Sequence, residues 1–158
     1  FFASHLLNFK NIRKYVVIDN CLRALDALNR RFSQDSRVSS RLEDVLEIMT
    51  SEEFGLVFSV GLIEHFDKQG TAIAIASHFR LCKPEGLVLI TFPTPTLLYR
   101  VIRKVAEVLS LWKFHDERPL GFQEVTDECR KFGLQKHQSI LWSIGLTQGY
   151  VLFEKYGS

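Results

Sequence analysis

Two apolar runs end in side chains suited to holding or transforming a polar ligand. Asp19 closes Tyr15-Val16-Val17-Ile18, and Glu64-His65 follows Phe54 to Ile63 through Gly61. A carboxylate at the end of a buried strand can accept from both hydroxyls of a ribose. Asp19 would equally serve as the cap of a helix starting near Cys21. A histidine titrates near neutrality, so His65 is a candidate general base on an acceptor hydroxyl; the alternatives are a pocket wall or a hydrogen-bonded structural histidine. One Glu and one His are too few to hold a metal, and none is expected. Gly61 allows close backbone approach to a ligand, or is simply a strand-to-helix turn.

These side chains need strands to carry them. Leu56, Val57, Phe58 and Val60 are rich in β-formers and apolar on both faces, as in a parallel strand covered on each side. The pattern predicts strands over Tyr15–Asp19, Val38–Leu42, Phe54–Val60 and Leu87–Phe92, the last preceded by a turn at Lys83–Gly86 and stopped by Pro93 and Pro95. Helical spacing is read over Phe1–Phe9, Cys21–Phe32, Thr71–Leu81, Leu97–Trp112 and Phe122–Phe132, with Gly133 as the C-cap of the last. A short helix or turn runs from Glu43-Asp44 to about Thr50. Two closing strands, Gln135–Trp142 and Gly149–Tyr156, are joined by a connection near Gly145 too short for a crossover, so they pair antiparallel. Alternating strands and helices imply an α/β fold with a mostly parallel sheet, helices on both faces and an antiparallel C-terminal hairpin. The Leu97–Trp112 helix reads as core, as a homodimer face, or as a basic amphipathic helix on a membrane surface.

Composition narrows the function classes. The chain has 158 residues, 46% apolar and 24% charged, which suits one soluble globular domain. A formal charge of +2 gives no support for a nucleic-acid partner bound through bulk charge. Cys21, Cys82 and Cys129 lie far apart and read as reduced core or near-core thiols of a cytoplasmic protein. No apolar run is long enough for a membrane span, and none resembles a signal peptide.

Taken together, four stations resemble a class I S-adenosylmethionine-dependent methyltransferase of the small-molecule (type 11/12-like) family. They are Val16-Val17-Ile18-Asp19, Glu43-Asp44-Val45, Phe54 to His65 with its Leu-Ile-Glu-His ending, and Leu81-Cys82-Lys83-Pro84-Glu85-Gly86-Leu87 followed by Ile90-Thr91-Phe92-Pro93. The resemblance implies a Rossmann-like methyltransferase fold over one domain, 1–158. It also implies S-adenosyl-L-methionine as cofactor and a small-molecule or biosynthetic-intermediate acceptor, with O-methylation slightly favoured. By the same resemblance Asp19 and Asn20 contact the adenosine, Asp44 and the Val45 amide contact adenine, and Ser59, Gly61 and His65 line the methionine end. His65 and His115 are the candidate catalytic residues, and His115 and Arg118 lie in an insertion that covers the acceptor site. The family's glycine-rich loop after the first strand has no counterpart, so the expectation is a natural chain that continues upstream of Phe1. Two alternatives are a non-catalytic interaction domain of this fold and a nicotinamide-dependent reductase, the latter disfavoured by the antiparallel final hairpin.

Overall fold

The computed structural model describes residues 2–94, 104, 118, 120–143 and 146–157. The chain divides into two compact units, residues 1–49 and 50–158.

In the first unit, helix α1 (Phe2–Leu6) leads to strand β1 (Tyr15–Asp19), helix α2 (Leu22–Arg31) and strand β2 (Val38–Leu42). Strands β1 and β2 pair in parallel from Tyr15↔Val38 to Asp19↔Leu42, so their carboxyl ends lie level. A parallel pair needs a crossover, and α2 supplies it. Leu25 is the buried residue of α2, while its Arg and Asp side chains face outward. The loop into β2 is fixed by Arg37. Its Nε and Nη2 donate to the two oxygens of Asp35 at 2.9 and 2.7 Å, and its Nη1 donates to the Leu7 carbonyl at 3.0 Å. These bonds from Arg37 hold the Asp35 carboxyl below its usual pKa range.

The second unit is built on a four-stranded sheet in the order β3-β4-β6-β5. Its strands are β3 (Phe54–Val60), β4 (Cys82–Pro93), β5 (Gly133–Ser143) and β6 (Leu146–Lys155). Strands β3 and β4 run parallel, and β6 is antiparallel to both β4 and β5. The closing hairpin is therefore antiparallel, as its short connection requires. Between β3 and β4 the register jumps from Phe54↔Cys82 to Leu56↔Leu87. The predicted Lys83–Gly86 turn is thus an excursion within one continuous strand, and Glu85 sits there at φ 59°.

Helix α3 (Lys68–Leu81) begins three residues earlier than its apolar spacing suggests, because Asp67 caps it: its side chain accepts from Gly70 N at 2.7 Å. The last described helix is α4 (Phe122–Cys129). Register places Val57, Ser59, Val88, Ile90, Phe92, Val151 and Phe153 on one face of the sheet. Both helices meet that face: Phe79 of α3 packs edge-on to Phe153, with ring centroids 6.2 Å apart, and Phe122 of α4 packs on Phe92 at 5.4 Å. Val88, Ile90, Phe92, Val151 and Phe153 are buried there with Ile75 and Val125.

Two expectations are corrected. Gly133 does not cap the preceding helix; α4 stops at Cys129 and Gly133 opens β5. Its φ is not positive, and a Cβ there would meet the Glu154 carbonyl oxygen at 2.5 Å and the Phe79 ring at 2.9 Å. The glycine is present because backbone and ring approach too closely for a side chain. Cys21 is exposed, whereas Cys82 and Cys129 are buried as expected. The predicted Leu97–Trp112 helix lies outside the described residues, apart from Lys104, which is helical.

Candidate functional site

The polar residues singled out in the sequence lie at strand carboxyl ends, in two groups, one in each unit. In the first unit, Asp19 ends β1 and its Oδ1 accepts from Cys21 N at 2.7 Å, tightening the turn into α2. The Cys21 side chain itself caps nothing. Asp44 follows β2 and caps a single 3₁₀ turn, Val45–Glu47: its Oδ1 accepts from Leu46 N at 2.8 Å. Its Oδ2 accepts from Asn20 Nδ2 at 3.2 Å. Level parallel strands bring Asn20 and Asp44 together although 24 residues separate them. Asp44 therefore caps its turn, whereas Asp19 closes a local turn onto the Cys21 amide and does not cap α2; the two acids form one acceptor-rich edge with Asn20.

In the second unit, β3 passes at Gly61 into a 3₁₀ turn, Ile63–His65. Gly61 has φ 62°, in the left-handed region where a Cβ is disfavoured. A Cβ there would also come within 3.1 Å of Glu64 Oε1. Glu64 is 2% exposed, whereas His65 stands exposed. The adjacent pair thus splits: the carboxylate turns inward beneath Gly61 and the imidazole faces outward. Ser59, two residues before Gly61 in β3, lies on the helix-covered face. Among the described residues, Ser59 Oγ and Thr91 Oγ1 are buried with no hydrogen-bond partner. A buried hydroxyl without a partner calls for an explanation, and a ligand atom at the edge of β3 would provide one for Ser59.

The turn is fixed by residues that sequence reasoning did not assign to it. Thr71 of α3, 1% exposed, donates its hydroxyl to the Ile63 carbonyl at 3.0 Å. Arg118 N donates to the Glu64 carbonyl at 3.0 Å. The Arg118 guanidinium donates from Nη2 to Thr71 Oγ1 at 3.0 Å, from Nη1 to Glu124 Oε1 at 2.8 Å and from Nε to the Phe66 carbonyl at 3.4 Å. No local signal marks the bonds from the Arg118 guanidinium to Thr71 and Phe66, which lie 47 and 52 residues away along the chain. Arg118 was expected to meet an acceptor molecule; its nitrogens are engaged by the protein. His115, the other residue expected there, lies outside the described residues. An open cavity of about 420 Å³ borders Arg118, lined also by Lys68, Gln123, Glu124, Asp127 and Glu128.

Comparison with known proteins identifies the family and the fold. A family model described as a methyltransferase domain matches residues 1–90, more than half of the 158. The chain belongs to this methyltransferase family. Its fold is that of Rossmann-like methyltransferases of known structure. It is similar to the N-methyltransferase NodS from Bradyrhizobium japonicum, solved in complex with S-adenosyl-L-homocysteine, at 16% identity and TM-score 0.68 over 90% of this chain and 66% of that one. Magnesium protoporphyrin IX methyltransferase (ChlM) from Synechocystis, solved with bound SAH, matches at 8% identity and TM-score 0.68 over 98% and 80% of the two chains. A SAM-dependent methyltransferase from Methanosarcina mazei matches at 10% identity and TM-score 0.71 over 90% and 82%. The chain thus spans just under two thirds of the NodS chain. No curated protein sequence matches it. Among the described residues, no helix of the domain is long and apolar enough to cross a membrane.

Proposed function

We propose that the chain is an S-adenosylmethionine-dependent methyltransferase of a small-molecule or biosynthetic-intermediate acceptor, with transfer to oxygen ahead of nitrogen or carbon. The observation that carries this reading is the Asp19, Asn20 and Asp44 edge, found in a chain whose family match runs across both units. That continuity also supports reading residues 1–158 as one domain, and the free cysteines suit a reducing, cytoplasmic location. In this reading the Asp19 carboxylate accepts the ribose hydroxyls, since among the described residues only its Oδ1 is used by the Cys21 turn. Asn20 contacts the adenosine, Asp44 accepts from the adenine amino group, and the Val45 amide faces a ring nitrogen. Ser59 Oγ, buried and without a partner, suits the polar methionine end, and Gly61 lets the backbone approach it. When bound, S-adenosylmethionine supplies a methyl group on a positively charged sulfur. The chain's own residues have to hold an acceptor in line and exclude competing geometries, and that positioning can account for most of the acceleration. A base is required only for an acceptor that loses a proton. His65, exposed at the edge of β3, and His115 are the candidates for that proton.

The test is calorimetric titration with S-adenosylmethionine and S-adenosylhomocysteine. Asp19→Asn is the better control than Asp19→Ala, because it keeps an oxygen for the Cys21 turn while removing the charge. We expect binding at about 1 μM in the parent chain and roughly tenfold weaker binding in Asp19→Asn. A folded chain that binds neither ligand would exclude the methyltransferase reading and favour a non-catalytic interaction domain.

A further inference from the structure

We propose that Arg118, acting through Thr71, is a positioning residue for the Gly61–His65 turn and so sets cofactor affinity; the proposal rests on the methyltransferase reading above. A tight turn at a strand's end leaves carbonyls that must find donors. Here the Ile63, Glu64 and Phe66 carbonyls receive theirs from the Thr71 hydroxyl, the Arg118 amide and Arg118 Nε. Thr71 has a single hydroxyl proton, which goes to Ile63 at 3.0 Å, so its oxygen is left to accept from Arg118 Nη2. The planar guanidinium then spends Nη1 on Glu124 of α4. One side chain thereby ties the turn after β3 to helices α3 and α4. A neighbouring bond, Leu120 N to the Pro93 carbonyl at 3.1 Å, fastens the same segment to the end of β4.

This geometry explains why the turn can hold Gly61 at φ 62° with Glu64 buried beneath it, an arrangement with little tolerance for drift. It also sets Arg118 apart from a residue that serves only a ligand: each of its three guanidinium nitrogens donates to a protein acceptor. Lysine at this position carries the charge but not the fork, so it cannot reach Thr71, Glu124 and Phe66 together.

The experiment compares Arg118→Lys, Thr71→Val and Thr71→Ser with the parent chain. It reads S-adenosylhomocysteine affinity by calorimetry, amide exchange of residues 61–66, and Tm. Arg118→Lys and Thr71→Val should each weaken binding about tenfold, as for loss of a buried hydrogen-bond partner. Exchange should accelerate in the 61–66 turn while the amides of β4 and β6 keep their protection. Thr71→Ser, which restores the hydroxyl, should restore both. Unchanged exchange in the turn, or affinity that falls only in step with a general loss of Tm, would overturn the positioning role. If the parent chain itself fails to bind, the methyltransferase reading falls and the link to affinity with it. The exchange comparison still decides whether Arg118 fixes the turn.

Discussion

Glu85 is the described non-glycine residue with a positive φ, 59°, and it sits in the excursion between Cys82 and Leu87. The left-handed conformation costs a side-chain-bearing residue about 1–2 kcal/mol, and a glycine returns part of that through its greater freedom when unfolded. Glu85→Gly should therefore stabilise the protein by about 0.5–1 kcal/mol, seen as a higher urea midpoint at unchanged slope. A lower midpoint would show that the Glu85 side chain contributes more than its backbone costs. The sequence exposed this position only as part of a Lys-Pro-Glu-Gly turn. Its strain depends on how β3 and β4 meet, which residue order does not encode. Gly133 carries the same lesson, since a glycine after a helical stretch looks like a cap until the Glu154 carbonyl is seen against it. The places of Asp19 at the end of β1 and Asp44 just past β2 were legible because apolar runs show directly where a strand stops.

Helix α3 carries an acid-sensitive group in its buried face. His78 is 4% exposed, and its Nδ1 lies 2.7 Å from the Ala74 carbonyl. Burial holds its pKa below the ordinary 6.5, with the Ala74 bond offsetting part of the shift. The folded protein thus favours the neutral ring, and this contribution to stability is complete above pH 6.5. As pH falls below that value the unfolded chain takes up the proton first, so stability declines until the folded-state pKa is passed. The Tm should accordingly drop as pH falls below about 6.5, and less steeply in His78→Gln. Parallel slopes would show that other groups govern the acid limb. The helix itself was visible in its apolar spacing. The histidine's burial was not, because spacing alone does not say how deeply the sheet and α4 cover that face.

At the scale of the molecule, the two units differ in how much apolar surface they bury. Among the described residues, the first unit's buried apolar side chains are Leu7, Leu25 and Ile48 on a two-stranded sheet. The second buries a continuous layer that includes Phe79, Phe92 and Phe153. A two-stranded sheet is marginal without further cover, and local opening follows local burial. Amides of β1 and β2 should therefore exchange at least about tenfold faster than those of β4 and β6 in the ligand-free protein. Equal protection would mean that the two units open together. The α/β order and the final hairpin were legible because strand and helix periods alternate cleanly. The division at residues 49 and 50 was not, because no glycine- or proline-rich linker marks it.

Strand β5 lies at the outer end of the four-stranded sheet, a place where chains invite self-association. Its first half is guarded: the pairing with β6 slips between Gln135 and His137, and Lys136 projects at the slip to pair with Glu154 at 3.2 Å. The second half, from His137 to Ser143, pairs without interruption and displays Leu141 at 50% exposure. The slip and the Lys136 charge thus offset the exposed Leu134 in the first half, whereas the second half pairs without such a break. When the protein is refolded at high concentration, clumping should begin at the Ile140–Trp142 end, where a charge in place of Leu141 would extend the guard along the edge.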